Sequence, residues 1–384
     1  MISFDRYGIP VVTLPDIRSL LFSIFTRQSS GEIWCNSRQK ASFYRGSAWG
    51  ISEAVKTLLK SKGKTHGIVF LPDYFCNQAL RPLRFQSVQL VFYPVTENLN
   101  PDWRLLHALV LLNGKPDVFI LVHYFGFPGE IRNALQFCQQ VGAVLLEDGA
   151  HVLMPIGEIG KFSWASVFSP YKLLPVPKLG VLVTSKETEI SCEMSGEKKR
   201  VDMEACKWVG KRVLQSLFLN CGISWRGSEI VPFDSDAESN FERNSSVSAV
   251  TLQMLKMTES KLDQYKRIRR RHYKIVEEGI SVKNDVARPF FSSLPEDVCP
   301  YLFPMWLHES IIEDVYYRLN RMGVPVQTWP DLPPEVKEKP STHGTAIKIR
   351  KSLLTIPIHQ SLTERHMQYI VRSVRDAIGK VFGG

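Results

Sequence analysis

The chain reads as an α/β protein with a mostly parallel central sheet and a smaller α+β domain at its carboxyl end. From about residue 46, short apolar runs alternate with stretches at helical spacing, the pattern of successive βαβ units. The 384 residues exceed the roughly 150 that fill one typical domain. With 44% apolar and 22% charged residues, the composition is that of a folded globular protein.

Arg45-Gly46-Ser47-Ala48 opens the first expected helix, over 47–61, because serine caps a helix start well and the following residues keep an apolar stripe. Strands are expected at Gly67–Leu71, Val88–Tyr93, Val118–His123, Ala143–Leu146, Ala165–Phe168 and Gly180–Thr184, each a short apolar run. Helices fall between them, around 74–84, 102–112 and 129–141. Lys186–Asn220 reads as helical and runs into the polar segment FDSDAESNFERNSS, which marks a domain boundary. Beyond it, Val247–Gly279 predicts one long connecting helix ending at a glycine. A strand in YLFPMWL, a helix over Ile311–Met322, a strand in LLTIPIH and a helix over Glu364–Val381 complete the smaller domain. The expected division is an N-terminal segment 1–30, a large domain 31–235, and the connecting helix with the small domain over 236–384.

The 48 basic against 38 acidic residues leave a net charge of +10, which favours anionic partners. The basic run KLDQYKRIRRRHYK at 261–274 has the electrostatic footprint of a nucleic-acid or nucleotide binder. No nucleic-acid motif accompanies it, so the expectation is a solvated helix face and no nucleic-acid partner. The seven cysteines are odd in number and form no CxxC pair, which argues against a disulfide framework and against a zinc site. Two acids and two prolines interrupt the first 25 residues, unlike a secretory leader, and no apolar run approaches the ~20 residues of a membrane-spanning helix. A cytoplasmic protein is expected.

Ligands of a parallel α/β sheet sit at the carboxyl ends of its strands, so polar residues there are the first candidates for chemistry. Gly46, Ser47 and Ala48 offer free amides at a helix start, suited to an anion. His123 and Tyr124 end one strand, where a satisfied structural histidine is the plainer reading. Glu147, Asp148 and His151 follow a buried strand, a costly place for charge unless it is paired. Ser169 and Lys172 lie on a proline-rich loop between two apolar strands, where a lysine is desolvated as a carbonyl-attacking amine must be.

In order and spacing, with Lys172 lying 24 residues after Asp148, these features resemble the fold type I pyridoxal-phosphate enzymes, and among them the DegT/DnrJ/EryC1/StrS sugar aminotransferases. The resemblance runs from about Gly31 to the carboxyl end. It implies that Gly46, Ser47, Ala48 and Ser169 hold the phosphate of pyridoxal 5'-phosphate, that Asp148 faces the pyridine nitrogen, and that His151 stands in for a glutamine near the phenolic oxygen. Lys172 is the implied cofactor lysine, with Lys178 its rival. An aromatic of the LPDYFCNQAL segment would stack on the ring. Phe75 is favoured, although plain spacing puts Cys76 there.

The resemblance further implies a homodimer in which Arg243 and Asn244 reach the neighbouring site. The implied reaction moves an amino group from an amino acid such as glutamate to a keto sugar, with a nucleotide-linked sugar as the expected acceptor. Two departures stand out: Ser169 and Lys172 are three residues apart where the family has five, and Leu179-Gly180 replaces a Gly-Gly pair. They keep open a catalytically silent homologue that serves as a binding or regulatory module. A sugar dehydratase or lyase using the same cofactor is a further alternative. Dehydratase relatives carry histidine in place of the lysine, so Lys172 argues against a dehydratase.

Overall fold

A computed structural model describes residues 8–16, 26–190, 203–220, 230–233, 245–280, 286–329 and 331–382. The main sheet contains β1 (Gln39–Tyr44), β2 (Gly67–Pro72), β3 (Val88–Tyr93), β4 (Val118–Val122), β5 (Val144–Gly149), β6 (Ala165–Phe168) and β7 (Gly180–Ser185). Their spatial order is β1-β7-β6-β5-β4-β2-β3. All run parallel except β7, which is antiparallel to both its neighbours. The carboxyl ends of the six parallel strands therefore share one edge of the sheet.

The intervening helices are α1 (Ser47–Ser61), α2 (Asn77–Arg84), α3 (Trp103–Asn113), α4 (Ile131–Val141) and the single turn α5 (Pro170–Leu173). Strands β4, β6 and β7 are almost wholly buried. That burial is why they read as continuous apolar runs rather than as alternations. Strand β1 eluded the sequence reading because QKASFY mixes polar with apolar residues on a half-buried sheet edge.

After β7 come α6 (Met203–Asn220), α7 (Ala249–Glu259) and α8 (Leu262–Gly279). The expected helix over Lys186–Asn220 begins later than its reading: Lys186–Ile190 is turn and coil, and 191–202 lie outside the described residues. The single long helix expected over Val247–Gly279 is two. Thr258 turns its hydroxyl onto the Leu255 carbonyl at 2.7 Å and the Lys261 amide bonds the Thr258 carbonyl at 2.9 Å, a tightened last turn that ends α7 before α8 starts. The boundary placed at 235–236 also falls outside the described residues.

The C-terminal portion has a three-stranded antiparallel sheet of β8 (Ala287–Pro289), β9 (Phe303–Leu307) and β10 (Leu353–Ile356), ordered β10-β9-β8. Around it lie α9 (Glu309–Arg321), α10 (Pro334–Lys337), α11 (Pro340–Ser352) and α12 (Glu364–Phe382). Among the described residues no helix is long and apolar enough to cross a membrane.

The basic run on α8 turns inward as much as outward. Arg269 is buried, Arg270 donates to the Pro295 and Val298 carbonyls, Arg271 pairs with Glu364, and Lys266 lies 3.9 Å from Asp297. Much of the run is thus committed to holding α8 against the rest of the chain.

Candidate active site

Strand β5 carries Glu147 and Asp148, whose side chains leave opposite faces because successive strand residues alternate. Glu147 is fully buried on one face. Its Oε2 accepts from His123 Nε2 at 2.8 Å and its Oε1 from the Gly160 amide at 3.0 Å. The Gly129 amide donates to His123 Nδ1 at 3.0 Å, so this histidine is satisfied on both nitrogens. The pair is structural, and His123 does not face a ligand. Tyr124 is buried too, its hydroxyl donating to the Tyr74 carbonyl at 2.6 Å.

Asp148 lies within β5 rather than after it, because the strand extends to Gly149. Its Oδ1 accepts the Ala150 amide at 2.9 Å. Burial raises its carboxyl above the ordinary range, opposed chiefly by the charge of Lys172.

One turn past β6, Lys172 sits on α5 and its Nζ lies 3.0 Å from His151 Nε2. The Phe125 amide donates to His151 Nδ1 at 3.1 Å, so the neutral ring carries its proton on Nε2. That proton can only be donated to an unprotonated lysine amine. Burial acts in the same sense on both groups: it holds the imidazole well below its usual pKa and lowers that of the lysine, which Asp148 partly restores. The result is a desolvated lysine beside a carboxyl group, its pKa lowered in the direction that nucleophilic attack on a carbonyl requires. His151 is itself held in an aromatic box, stacked on Tyr301 at 4.7 Å and on Phe125 at 5.7 Å, with Trp329 edge-on at 6.0 Å.

Ser169 is fully buried at the end of β6, and its Oγ has no hydrogen-bond partner. An orphaned hydroxyl in such a place fits a ligand oxygen. The register brings the phosphate candidates to it: Phe168 pairs with Val181, and Gly180 in turn pairs with Tyr44, the last residue of β1. Gly46 follows with extended φ of 172°, and a Cβ there would meet nothing within 4 Å. A Cβ on Gly180 would come within 2.2 Å of the Gly46 carbonyl carbon and 2.4 Å of the Ser47 nitrogen. Only glycine lets β7 pass this close beneath the start of α1, so the family glycine that survives here is the one the packing requires. Buried hydroxyl, open helix start and desolvated lysine together fit a phosphate-bearing aldehyde such as pyridoxal 5'-phosphate.

On the loop after β2, Phe75 is buried, whereas Cys76 caps α2 and lies in the electrostatic reach of Lys172. Tyr74 instead packs on Trp329 at 4.5 Å. The loop is pinned to the C-terminal portion by Asp73, which bonds His343 Nδ1 at 2.9 Å, and by Asn77, which donates to Asp331 at 3.1 Å. Arg243 and Asn244 lie outside the described residues. Lys178 shares with Lys172 a cavity of about 390 Å³, within the usual range for small-ligand sites. Trp208, Arg212, Arg269, Tyr301 and His359 also line it. Arg269 and Tyr301 escaped the sequence reading. The available signal was phase, since Arg269 falls on the stripe of Leu262, Tyr273 and Val276, the buried face of α8.

The model of the DegT/DnrJ/EryC1/StrS aminotransferase family matches residues 89–375. No curated protein matches the sequence. Among solved structures, the aminotransferase TlmJ from Streptoalloteichus hindustanus is similar with a TM-score of 0.69 at 18% identity, covering 100% of both chains. Helicobacter pylori PseC, an aminotransferase of pseudoaminic acid biosynthesis, gives 0.69 at 14% identity over 99% of each chain. The PLP form of the putative sugar aminotransferase Spr1654 from Streptococcus pneumoniae gives 0.70 at 14% identity, covering 98% of this chain and 100% of that one. At such identities these likenesses establish a shared fold, that of the fold type I aminotransferases, while the family match spans most of the sequence. The chain belongs to the DegT/DnrJ/EryC1/StrS family of pyridoxal-phosphate-dependent sugar aminotransferases.

Proposed function

We propose that this enzyme transfers an amino group from glutamate to a nucleotide-linked keto sugar, with Lys172 as its cofactor lysine. The observation that carries the reading is the buried Lys172 amine, its pKa lowered by burial, 3.0 Å from His151 and within the field of Asp148.

When bound, pyridoxal 5'-phosphate supplies the electron sink that stabilises the carbanion left when an amino acid loses its α-proton. Lys172 would hold the cofactor covalently and, once displaced by the donor amine, carry the proton from the donor α-carbon. Asp148 would face the ring nitrogen. A cation placed there offsets the burial that otherwise raises its carboxyl, so acid and ring keep each other charged. Ser169 Oγ and the first amides of α1, from Ser47 and Ala48, would donate to the phosphate. His151 would hydrogen-bond near the phenolic oxygen through the Nε2 proton that now faces Lys172. On the ring's open face, the Phe75–Cys76 segment would pack.

A nucleotide linkage is supported by charge. The cavity walls present Lys178 and Arg212, and no aspartate or glutamate among the described residues lines it. A pyrophosphate suits such a wall better than a neutral sugar does. A homodimer completed by Arg243 and Asn244 belongs to the same proposal.

The test is to load the purified protein with pyridoxal 5'-phosphate, record its visible absorbance, reduce with borohydride and map the modified peptide. Modification at Lys172, followed by conversion to the amine form of the cofactor with glutamate, is expected. Trapping on another lysine would overturn the assignment, and loading without conversion by any amino acid would favour the silent homologue. Comparing keto sugars with and without the nucleotide tests the linkage.

A further inference from the structure

Arg269 is 1% exposed, yet no carboxylate among the described residues pairs with it. Its Nε donates to Gln360 Oε1 at 2.8 Å, Nη1 to the Tyr301 carbonyl at 2.8 Å and the Pro300 carbonyl at 3.4 Å, and Nη2 to the Leu173 carbonyl at 3.1 Å. Gln360 Nε2 also donates to the Leu173 carbonyl, at 2.8 Å. Burial also lowers the pKa of the neighbouring His272 and His359, which disfavours a second positive charge beside Arg269. A buried guanidinium held only by neutral oxygens is costly to desolvate, and burial pulls down even its pKa.

The segments it ties together are those that build the lysine's surroundings. Leu173 follows Lys172 and ends α5, so its carbonyl is an otherwise open end of the turn that aims the lysine. Tyr301 stacks on His151, whose Nε2 faces the lysine amine. Arg269 therefore reaches both partners of the Lys172–His151 contact, one through the backbone beside the lysine and the other through the ring above the histidine. The planar fork can serve divergent carbonyls at once, which an ammonium cannot do.

We infer that Arg269 is a positioning residue that fixes the Lys172 turn and the Tyr301–His151 stack in register with each other. The inference rests on the reading of Lys172 as the cofactor lysine. Misplacing a reacting group by about 1 Å can cost on the order of a hundredfold in rate, so a loosened turn is felt at the amine.

The experiment compares wild type with Arg269→Met and Arg269→Lys. In the cofactor-free protein, the pH profile of Lys172 acetylation is read by peptide mass spectrometry. A second readout is the rate at which each protein takes up pyridoxal 5'-phosphate at Lys172. Arg269→Met is expected to move the acetylation midpoint upward, toward that of an ordinary lysine, and to slow uptake about tenfold or more. Arg269→Lys, which keeps the charge but not the fork, should recover only part of the loss. Profiles and uptake unchanged in a folded Arg269→Met protein overturn the inference.

Should Arg269→Met fail to fold, Gln360→Leu carries the test, since it removes one donor to Leu173 and one acceptor of Arg269. An unchanged profile and rate in that variant would equally overturn the inference. Cofactor trapped on a lysine other than Lys172 in the wild type would instead refute the underlying reading, so the two failures are distinguishable.

Discussion

Gly180→Ala adds one methyl group at the place where β7 passes under the start of α1. The new Cβ would stand 2.2 Å from the Gly46 carbonyl carbon, 2.4 Å from the Ser47 nitrogen and 2.5 Å from the Gly46 oxygen. Ordinary non-bonded separations are about 3.5–4.0 Å, so roughly 1 Å or more of movement is required. The obstructing atoms are backbone, and no rotamer change relieves them.

Overpacking of this kind costs about 1–3 kcal/mol, and a backbone clash belongs at the upper end. For a chain of this size that is a fall in melting temperature of roughly 2–4 °C. The atoms that must yield are also the amides proposed to hold the phosphate. Losing one or two charge-assisted hydrogen bonds there should weaken pyridoxal 5'-phosphate binding by roughly tenfold to a hundredfold. Thermal denaturation and fluorimetric cofactor titration measure the two effects separately. Gly344→Ala is the control, since a Cβ at that exposed helical position meets nothing within 4 Å and should leave both values unchanged or raise stability slightly. A Gly180→Ala protein with wild-type melting and wild-type affinity would refute the close approach and the anion cup built on it.

Asp148→Asn keeps an oxygen for the Ala150 amide and should melt like wild type, while turnover with glutamate falls by about a hundredfold or more. The same change one residue earlier, Glu147→Gln, is expected to do the opposite: cofactor uptake at Lys172 stays intact and stability drops by about 2 kcal/mol, read by urea denaturation, because both carboxyl oxygens accept and the new NH2 group must face one of their donors. His359 has its pKa lowered by burial to about 3, against 6.5 for an exposed histidine. The unfolded chain therefore binds more protons between those values, and stability should fall as the pH drops from 6.5 toward 3. His359→Gln, which can still donate to the Pro10 carbonyl, should flatten that acid limb in urea titrations at stepped pH.

Where one physical influence dominated, the sequence was legible. Buried strands such as VFILV and GVLVT, and helix α1 behind its glycine and serine, announce themselves because burial on both faces and capping leave simple patterns. Asp148, His151, Ser169 and Lys172 were visible as polar residues at strand ends, and the fold does gather Asp148, His151 and Lys172 into one cluster. What stayed hidden depended on partners distant in sequence. Composition could not separate Arg269 from the exposed cations beside it, because its burial is decided by carbonyls at 173, 300 and 301. Likewise the break between α7 and α8 falls between Glu259 and Leu262 with no glycine or proline to mark it.

The alternation along β5 has a consequence for how this family is aligned. Two neighbouring acids share the strand, and only parity separates the one that meets a lysine from the one that meets a histidine. A comparison slipped by a single position would score almost as well on residue type and yet assign the chemistry to the wrong side of the sheet. In this chain the parity is marked by Gly149, whose Cβ would lie within 3 Å of the Phe168 ring, so no side chain can take its place without displacing that ring. The residue before that glycine is the acid that meets the lysine, and the one before that is the acid that meets the histidine.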